Sequence, residues 1–506
     1  MASSLFARKP VSLLLKEMGG RAGLRPVLGA IQLTSLGIGA IIGAGIFVVI
    51  GLVAKDKAGA ATMLSFVIAG CACAFAALCY AEFAAMVPVA GSAYTYAYAT
   101  LGELLAWIIG WDLLLEYGVG AASVAHGWSH YFTEFLRLLG IGFPHALADA
   151  PFDFNPATGQ FVSTGAIIDL PVLLIAGLIT TVLVIGIRES ATFNAFMVAV
   201  KLAIVFLIIA VGVFYIDPKN WHPFAPYGYS GVSFFGTTIL GQHGAGGEPL
   251  GVLAGAAIVF FAYIGFDSVS THAEEARNPS RDVPIGIIGS LSLCTVLYIA
   301  VATVLTGMVP YDKINIDAPL SAAFNEVGLP WAHFLISVGA LTGITSVLMV
   351  LMLSQPRIML AMARDGLLPA GFFASVHPRF RTPWKATILT GTVVGLMGAL
   401  MPLRILAELT NIGTLLAFVI VCAAVLIMRR RHPEVARPFR CPLVPFVPIL
   451  GIALCLLLMF SLPEENWLRL VIWLLLGFAV YFGYGRHHSV MARMQNKAAR
   501  TEADPA

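Results

Sequence analysis

Four ionisable residues stand in segments where water should be scarce. Lys201 lies in the apolar run 194–212, Asp112 and Glu116 lie four residues apart in another, and Asp267 closes the stretch Phe260-Phe261-Ala262-Tyr263-Ile264-Gly265-Phe266-Asp267. An ammonium deep in a bilayer costs at least ~2.5 kcal/mol, so charges there mark ion or substrate paths. Lys201 is thirteen residues from Arg188, ~20 Å along a helix, too deep for easy snorkelling. That cost makes its protonation switchable, which is the chemistry of a proton-coupling group. The alternative is a fixed ion pair with Glu116 or Asp267. Those two acids could gate a pathway or attract a cationic side chain; structural pairing within a bundle explains them equally well. Asp112 and Glu116 share one helix face by spacing.

A second chemistry is suggested by backbone rather than side chains. Residues 37–47 read Gly37-Ile38-Gly39-Ala40-Ile41-Ile42-Gly43-Ala44-Gly45-Ile46-Phe47. Such a glycine density disfavours a continuous helix. If the helix opens near 42–45, the amides of Gly43, Ala44 and Gly45 form a half-helix N-terminus suited to a carboxylate. The carbonyl of Ile41, just before the break, becomes an acceptor for an ammonium group. One break then holds both ends of an amino acid zwitterion. Close packing of unbroken helices is the competing account of the glycines. The segment 260–267, with its own glycine and carboxylate, favours the break, because irregular segments at corresponding places in two halves point to a transporter site.

The elements that must carry these residues are membrane helices. Of 506 residues, 59% are hydrophobic and only 11% charged, with a mean hydropathy of +0.88. A soluble domain carries about 25% charged residues. A cytosolic enzyme, a disordered chain and a nucleic-acid-binding domain are all excluded by this composition. Twelve apolar runs are long enough to span a bilayer: 28–53, 61–87, 98–136, 166–187, 191–215, 250–274, 285–308, 330–363, 384–401, 404–428, 443–462 and 466–485. The third and eighth exceed one straight crossing and are expected to tilt or extend. Polar loops are expected at 138–165 and 216–249, and a short amphipathic helix within 309–329. With the N-terminus in the cytoplasm, 22 of the 30 Lys and Arg fall on that side and 7 on the other, as the positive-inside rule requires. Both termini are then cytoplasmic. The basic stretch from Arg8 to Arg25 lacks the apolar core of a signal peptide.

Four stretches carry a family likeness: GIGAIIGAGIF at 37–47, YAEFAAMVPVAGSAYTYAY at 80–98, FFAYIGFDSVSTHAEEARNPSRDVPIGI at 260–287 and SQPRIMLAMARDGLLP at 354–369. They resemble the amino acid–polyamine–organocation superfamily and, within it, the cationic amino acid transporter group. The resemblance implies an all-α polytopic membrane protein with 12 transmembrane helices: a LeuT-like 5+5 inverted repeat plus two peripheral helices. It divides the chain into a cytoplasmic tail (1–27), a first five-helix repeat (28–215), a second (250–428), helices 11 and 12 (443–485) and a cytoplasmic tail (486–506). It implies that the substrate carboxylate meets the backbone at Gly43, Ala44 and Gly45. The amine would meet carbonyls near Ile41, Phe261, Ala262 and Ile264, with Phe261 as an aromatic lid. It places Lys201 where relatives bind a sodium ion, between spans one, five and eight. Ala44 lacks the hydroxyl many relatives carry there, and Met86 and Val89 replace frequent arginines.

The expected activity is proton-coupled import of L-amino acids across the cell membrane by alternating access. Glu116 and Asp267 as gating or selectivity residues mildly favour lysine, arginine or ornithine. An amino acid or polyamine exchanger on the same fold is the alternative. No catalytic constellation, nucleotide loop, cofactor motif or cysteine cluster stands out, so neither an enzyme nor a metal site nor a bound cofactor is expected. His126, His130 and His272 read as lone structural histidines, Leu351 and Met352 as possible pocket walls. Glu82 is expected to be solvated or paired, and Arg429-Arg430-Arg431 to serve orientation or to meet anionic lipid. The partners are an L-amino acid, protons and the lipid bilayer, not nucleic acid; oligomeric state and any small membrane subunit are not legible.

Overall fold

The computed structural model describes residues 5–10, 28–87, 91–155, 160–185, 188–234, 237–244, 247–316, 318–380 and 382–494. The tail residues 11–27, Val89 and the C-terminal residues 495–506 lie outside these. Apolar chain segments satisfy their own backbone as helices when no water can, and helices dominate here. In order they are α1 (Ala30–Ile41), α2 (Thr62–Met86), α3 (Ser92–Thr100), α4 (Glu103–Leu138), α5 (Leu170–Ile185), α6 (Arg188–Gly212) and α7 (Val252–Val259). Then follow α8 (Pro279–Met308), α9 (Pro319–Glu326), α10 (Pro330–Arg364), α11 (Trp384–Leu400), α12 (Leu403–Arg431), α13 (Phe446–Phe460) and α14 (Glu464–Val480). Among the described residues, eight helical stretches are long and apolar enough to cross a membrane, and α5, α11 and α13 are shorter apolar helices.

The expected third span, 98–136, is realised mostly as the 36-residue α4, its first residues belonging to α3. Gly102 takes φ +103°, a left-handed value that favours glycine, and separates α3 from α4. The eighth stays whole as the 35-residue α10. Proline begins α8, α9 and α10, where its missing N–H costs nothing. The amphipathic helix expected within 309–329 is α9. The two long loops are not featureless: β1 (Phe152–Asn155) and β2 (Gln160–Ser163) form an antiparallel hairpin, and 232–250 holds two small ones.

At the centre α4 packs along α10, α1 against α8 and α6, and α2 against α8. The elements carrying Lys201, the glycine row and Asp267 are therefore neighbours. One end of the bundle is tied by buried charge pairs. Glu82 meets Arg429 at 2.6 Å and accepts from the Cys441 amide, so this arginine is engaged within the protein. Arg357 meets Glu275 at 3.0 Å, and Lys9 meets Asp365 at 2.6 Å. Tyr98, Tyr481 and Ser489 all donate to Glu103.

Candidate functional site

Both expected breaks are present. α1 ends at Ile41, Ile42 turns extended (φ −74°, ψ 103°), and the chain resumes as a π-helical turn over Gly45–Val49 that runs on into Ile50–Val53. α7 passes through a 3₁₀ turn, Phe260–Tyr263, after which Ile264 is extended (ψ 137°) and Gly265 takes φ +109°. Only glycine adopts that angle without strain. Helical geometry returns for one turn at Ser268–Thr271.

The two breaks touch. A Cβ added to Gly45 would collide with the Ala262 backbone, and one on Gly265 would press on Ala40. Glycine at these positions is thus what permits main chain to meet main chain. Gly43 faces Val347 of α10. Ile41, Ala44, Phe261, Ala262 and Ile264 are all buried, at 5% exposure or less, so the assembly is closed in this conformation. The amides of Gly43, Ala44 and Gly45 begin the second half-helix, where the first N–H groups have no carbonyl one turn earlier.

A residue that sequence reasoning missed joins the breaks. The Tyr298 hydroxyl, on α8, lies 2.7 Å from the Ile41 carbonyl and 3.0 Å from that of Ala262. Its single proton serves two acceptors, so the carbonyls expected to face a substrate amine converge on one polar point. Nothing in the apolar run of α8 distinguishes Tyr298 from a packing aromatic. Phe66 and Tyr263 stack edgewise around it.

Lys201 is fully buried. Its ammonium donates to the carbonyls of Gly39 (2.7 Å) and Ile42 (2.9 Å) and to the Ser346 hydroxyl (2.7 Å). Three N–H groups meet three oxygens, which saturates the group. Its hydrogen-bond partners are neutral, unlike the alternative of a fixed pair with Glu116 or Asp267. α6 is thereby fastened to the first break and to α10, the location the resemblance implied. Ser346, the third oxygen, was not foreseen.

The acids lie apart from this group. Asp267 accepts from the Tyr117 hydroxyl at 2.6 Å and is buried, as are Glu116 and Asp112. Asp112 rests against Gly413 of α12. Leu351 and Met352 are buried on α10, Leu351 facing Gly120 of α4. His272 contacts the Ser268 carbonyl, a local structural role. His126 and His130 are not lone: one turn apart on α4, they adjoin Asp149.

Two apolar helices, broken where they meet in a buried bundle, with polar backbone turned inward, are the architecture of a secondary transporter. The family profile described as amino acid permease matches residues 28–481. The chain is similar to the methylthioribose transporter of Bacillus subtilis (strain 168), 46% identical over 489 residues that cover 97% of this chain and 99% of the relative. It is similar to the branched-chain amino acid permease BcaP of the same organism, 45% identical with the same coverage. Cationic amino acid transporter 4 of Homo sapiens is 31% identical, with 94% of this chain and 89% of the relative covered. The chain belongs to the amino acid permease family, within the superfamily its motifs resemble.

Proposed function

We propose that this protein imports L-amino acids with protons by alternating access across the cell membrane, with both termini cytoplasmic. The reading rests on twelve crossings: Ala30–Met86 supplies two, and the three shorter apolar helices join the other long stretches. The repeats are 28–215 and 250–428, with 443–485 peripheral. The observation that carries the proposal is the meeting of the two breaks, where the Ile41 and Ala262 carbonyls share the Tyr298 hydroxyl. A substrate ammonium would compete with that hydroxyl for the same two oxygens and for Phe261 and Ile264 carbonyls. Its carboxylate would take the amides of Gly43, Ala44 and Gly45. Entry requires Gly45 and Ala262 to part, and Phe261 would cover the substrate once they close.

Lys201 would couple this motion to protons. As an ammonium it offers three donors and fills all three oxygens; as an amine it offers two and a lone pair. Deprotonation would therefore leave two donors for the two carbonyls, and the Ser346 link to α10 would survive only if that hydroxyl turned from the Gly343 carbonyl to donate to the amine. Glu116 and Asp267 would favour a cationic or broad side-chain range.

The test is uptake into proteoliposomes of arginine, lysine, alanine, leucine and methylthioribose, with and without internal substrate. An inward proton gradient alone is expected to drive accumulation of amino acids. Uptake only against internal substrate would establish an exchanger instead. A second reading, transport of methylthioribose, is favoured by the 46% identity to a protein of that name; uptake of that sugar alone would replace the amino acid.

A further inference from the structure

We propose that His126, His130 and Asp149 form a binding site for a divalent transition ion of the zinc type, distinct from the helix breaks. The two histidines lie four residues apart on α4, so both imidazoles project from one helix face, the spacing that helical zinc sites use. Asp149 comes from the loop after α4. One donor atom from each of the three lies within 4.8 Å of the others.

The tautomer of His126 follows from its neighbour. Nδ1 lies 3.0 Å from the Gly398 carbonyl, which can only accept, so Nδ1 carries the hydrogen. In the neutral ring Nε2 is then a lone pair, and it faces Asp149 Oδ1 at 3.7 Å. His130 Nε2 faces the same oxygen at 3.9 Å. Both distances exceed a hydrogen bond, yet they bring two ring nitrogens and a carboxylate oxygen around one point. With the His130 proton on Nδ1, the three atoms would present two nitrogen lone pairs and a carboxylate oxygen to one cation. Ligands on a tetrahedral zinc ion sit roughly 3.3 Å apart, from bonds of ~2.0–2.1 Å, so the two histidine–aspartate spacings would close by about half an ångström and the widest of the three spacings by up to ~1.5 Å, within reach of side-chain rotation.

The surroundings are those of a metal centre. Ligating histidines commonly donate their other ring N–H to a carbonyl or carboxylate, as His126 does to Gly398. A second carboxylate stands behind it: Asp169 is buried, held by the Ser129 hydroxyl at 2.6 Å, with Oδ2 3.8 Å from His126 Nδ1. Two imidazoles and a carboxylate suit zinc and its neighbours rather than calcium or magnesium. His130 and Asp149 line a cavity of about 620 Å³ that also touches Glu134 and His333. An ion has a way in, and a fourth ligand position could face that space. Once bound, it would staple the segment around Asp149 to α4 and, through His126, to the end of α11.

The experiment uses the full chain purified without a histidine tag and titrated with zinc chloride by calorimetry. Cobalt(II) serves as a spectroscopic substitute. One ion per chain is expected. His126 is buried and its replacement could fail to fold, so the variants are H130Q and D149N, whose side chains are 19% and 37% exposed. Each should weaken zinc binding by more than about tenfold, while H487Q/H488Q, exposed in the short helix Arg486–His488 after α14 and remote in sequence, leaves it unchanged. Absence of stoichiometric binding, less than a tenfold loss in either ligand variant, or a loss in the control pair would overturn the proposal.

Discussion

Lys9 and Lys201 are both buried, at 4% and 0% exposure, and the two regions hold their charge in different ways. At the end of the bundle Lys9 faces the Asp365 carboxylate at 2.6 Å, and Tyr94 donates to the other oxygen of that acid. At the centre Lys201 is held by two carbonyls and a hydroxyl. The end region matches charge with charge, as do Glu82–Arg429 and Glu275–Arg357. The central region solvates a charge with protein dipoles. A matched pair binds two elements in one arrangement, and removing either partner strands the other. A dipole-solvated ammonium can exchange its proton while its neighbours stay uncharged. The first is suited to fastening, the second to switching.

The sharpest way to break that contrast is at the fastened end. K9A removes one partner of a buried pair, a loss of roughly 3–5 kcal/mol. It should lower Tm clearly while the pH dependence of uptake stays as in the parent. A changed pH profile with unchanged Tm would put Lys9 among the switching groups. K201A should do the reverse of K9A in function. Hydrogen bonds to a charged group contribute ~1.5–3 kcal/mol each, so gradient-driven uptake should fall by on the order of 100-fold. Retained pH-dependent uptake in proteoliposomes would end the coupling role.

Smaller effects sharpen the account of the breaks. G45V forces the first break away from Ala262 and should weaken substrate affinity by about tenfold or more in a binding assay; unchanged affinity would move the carboxylate site elsewhere. Y298F removes one shared hydroxyl, about 1 kcal/mol, and should change KM by roughly fivefold with little change in Tm. S346A removes one of three ammonium partners and is expected to shift the pH profile of uptake less than K201A abolishes it.

The breaks were legible because their cause is local. Glycines at 43, 45 and 265 relax helical geometry wherever they stand, and Ile42 and Ile264 turn extended beside them. The depth of Lys201 was legible for the same reason, since it depends only on distance along one helix. Partners were another matter. Tyr298 reaches Ile41 across 257 residues and Lys9 reaches Asp365 across 356, and no periodicity encodes such pairings. His126 and His130 show the boundary well. Their four-residue spacing was visible, but Asp149 belongs to a polar loop whose return to α4 depends on tertiary contacts. Gly102 does not stand out as a divider in the sequence, because one glycine in an apolar run also fits a continuous helix.

The contact of Gly45 with Ala262 carries a consequence for how such a protein could diversify. Recognition through peptide groups is recognition through atoms that every residue possesses. A codon change can enlarge, recolour or remove the surrounding walls, such as Val347 beside Gly43, but it leaves amide and carbonyl in place. The handle by which cargo is gripped is therefore sheltered from most point mutation, while the lining that distinguishes one cargo from another remains free to drift.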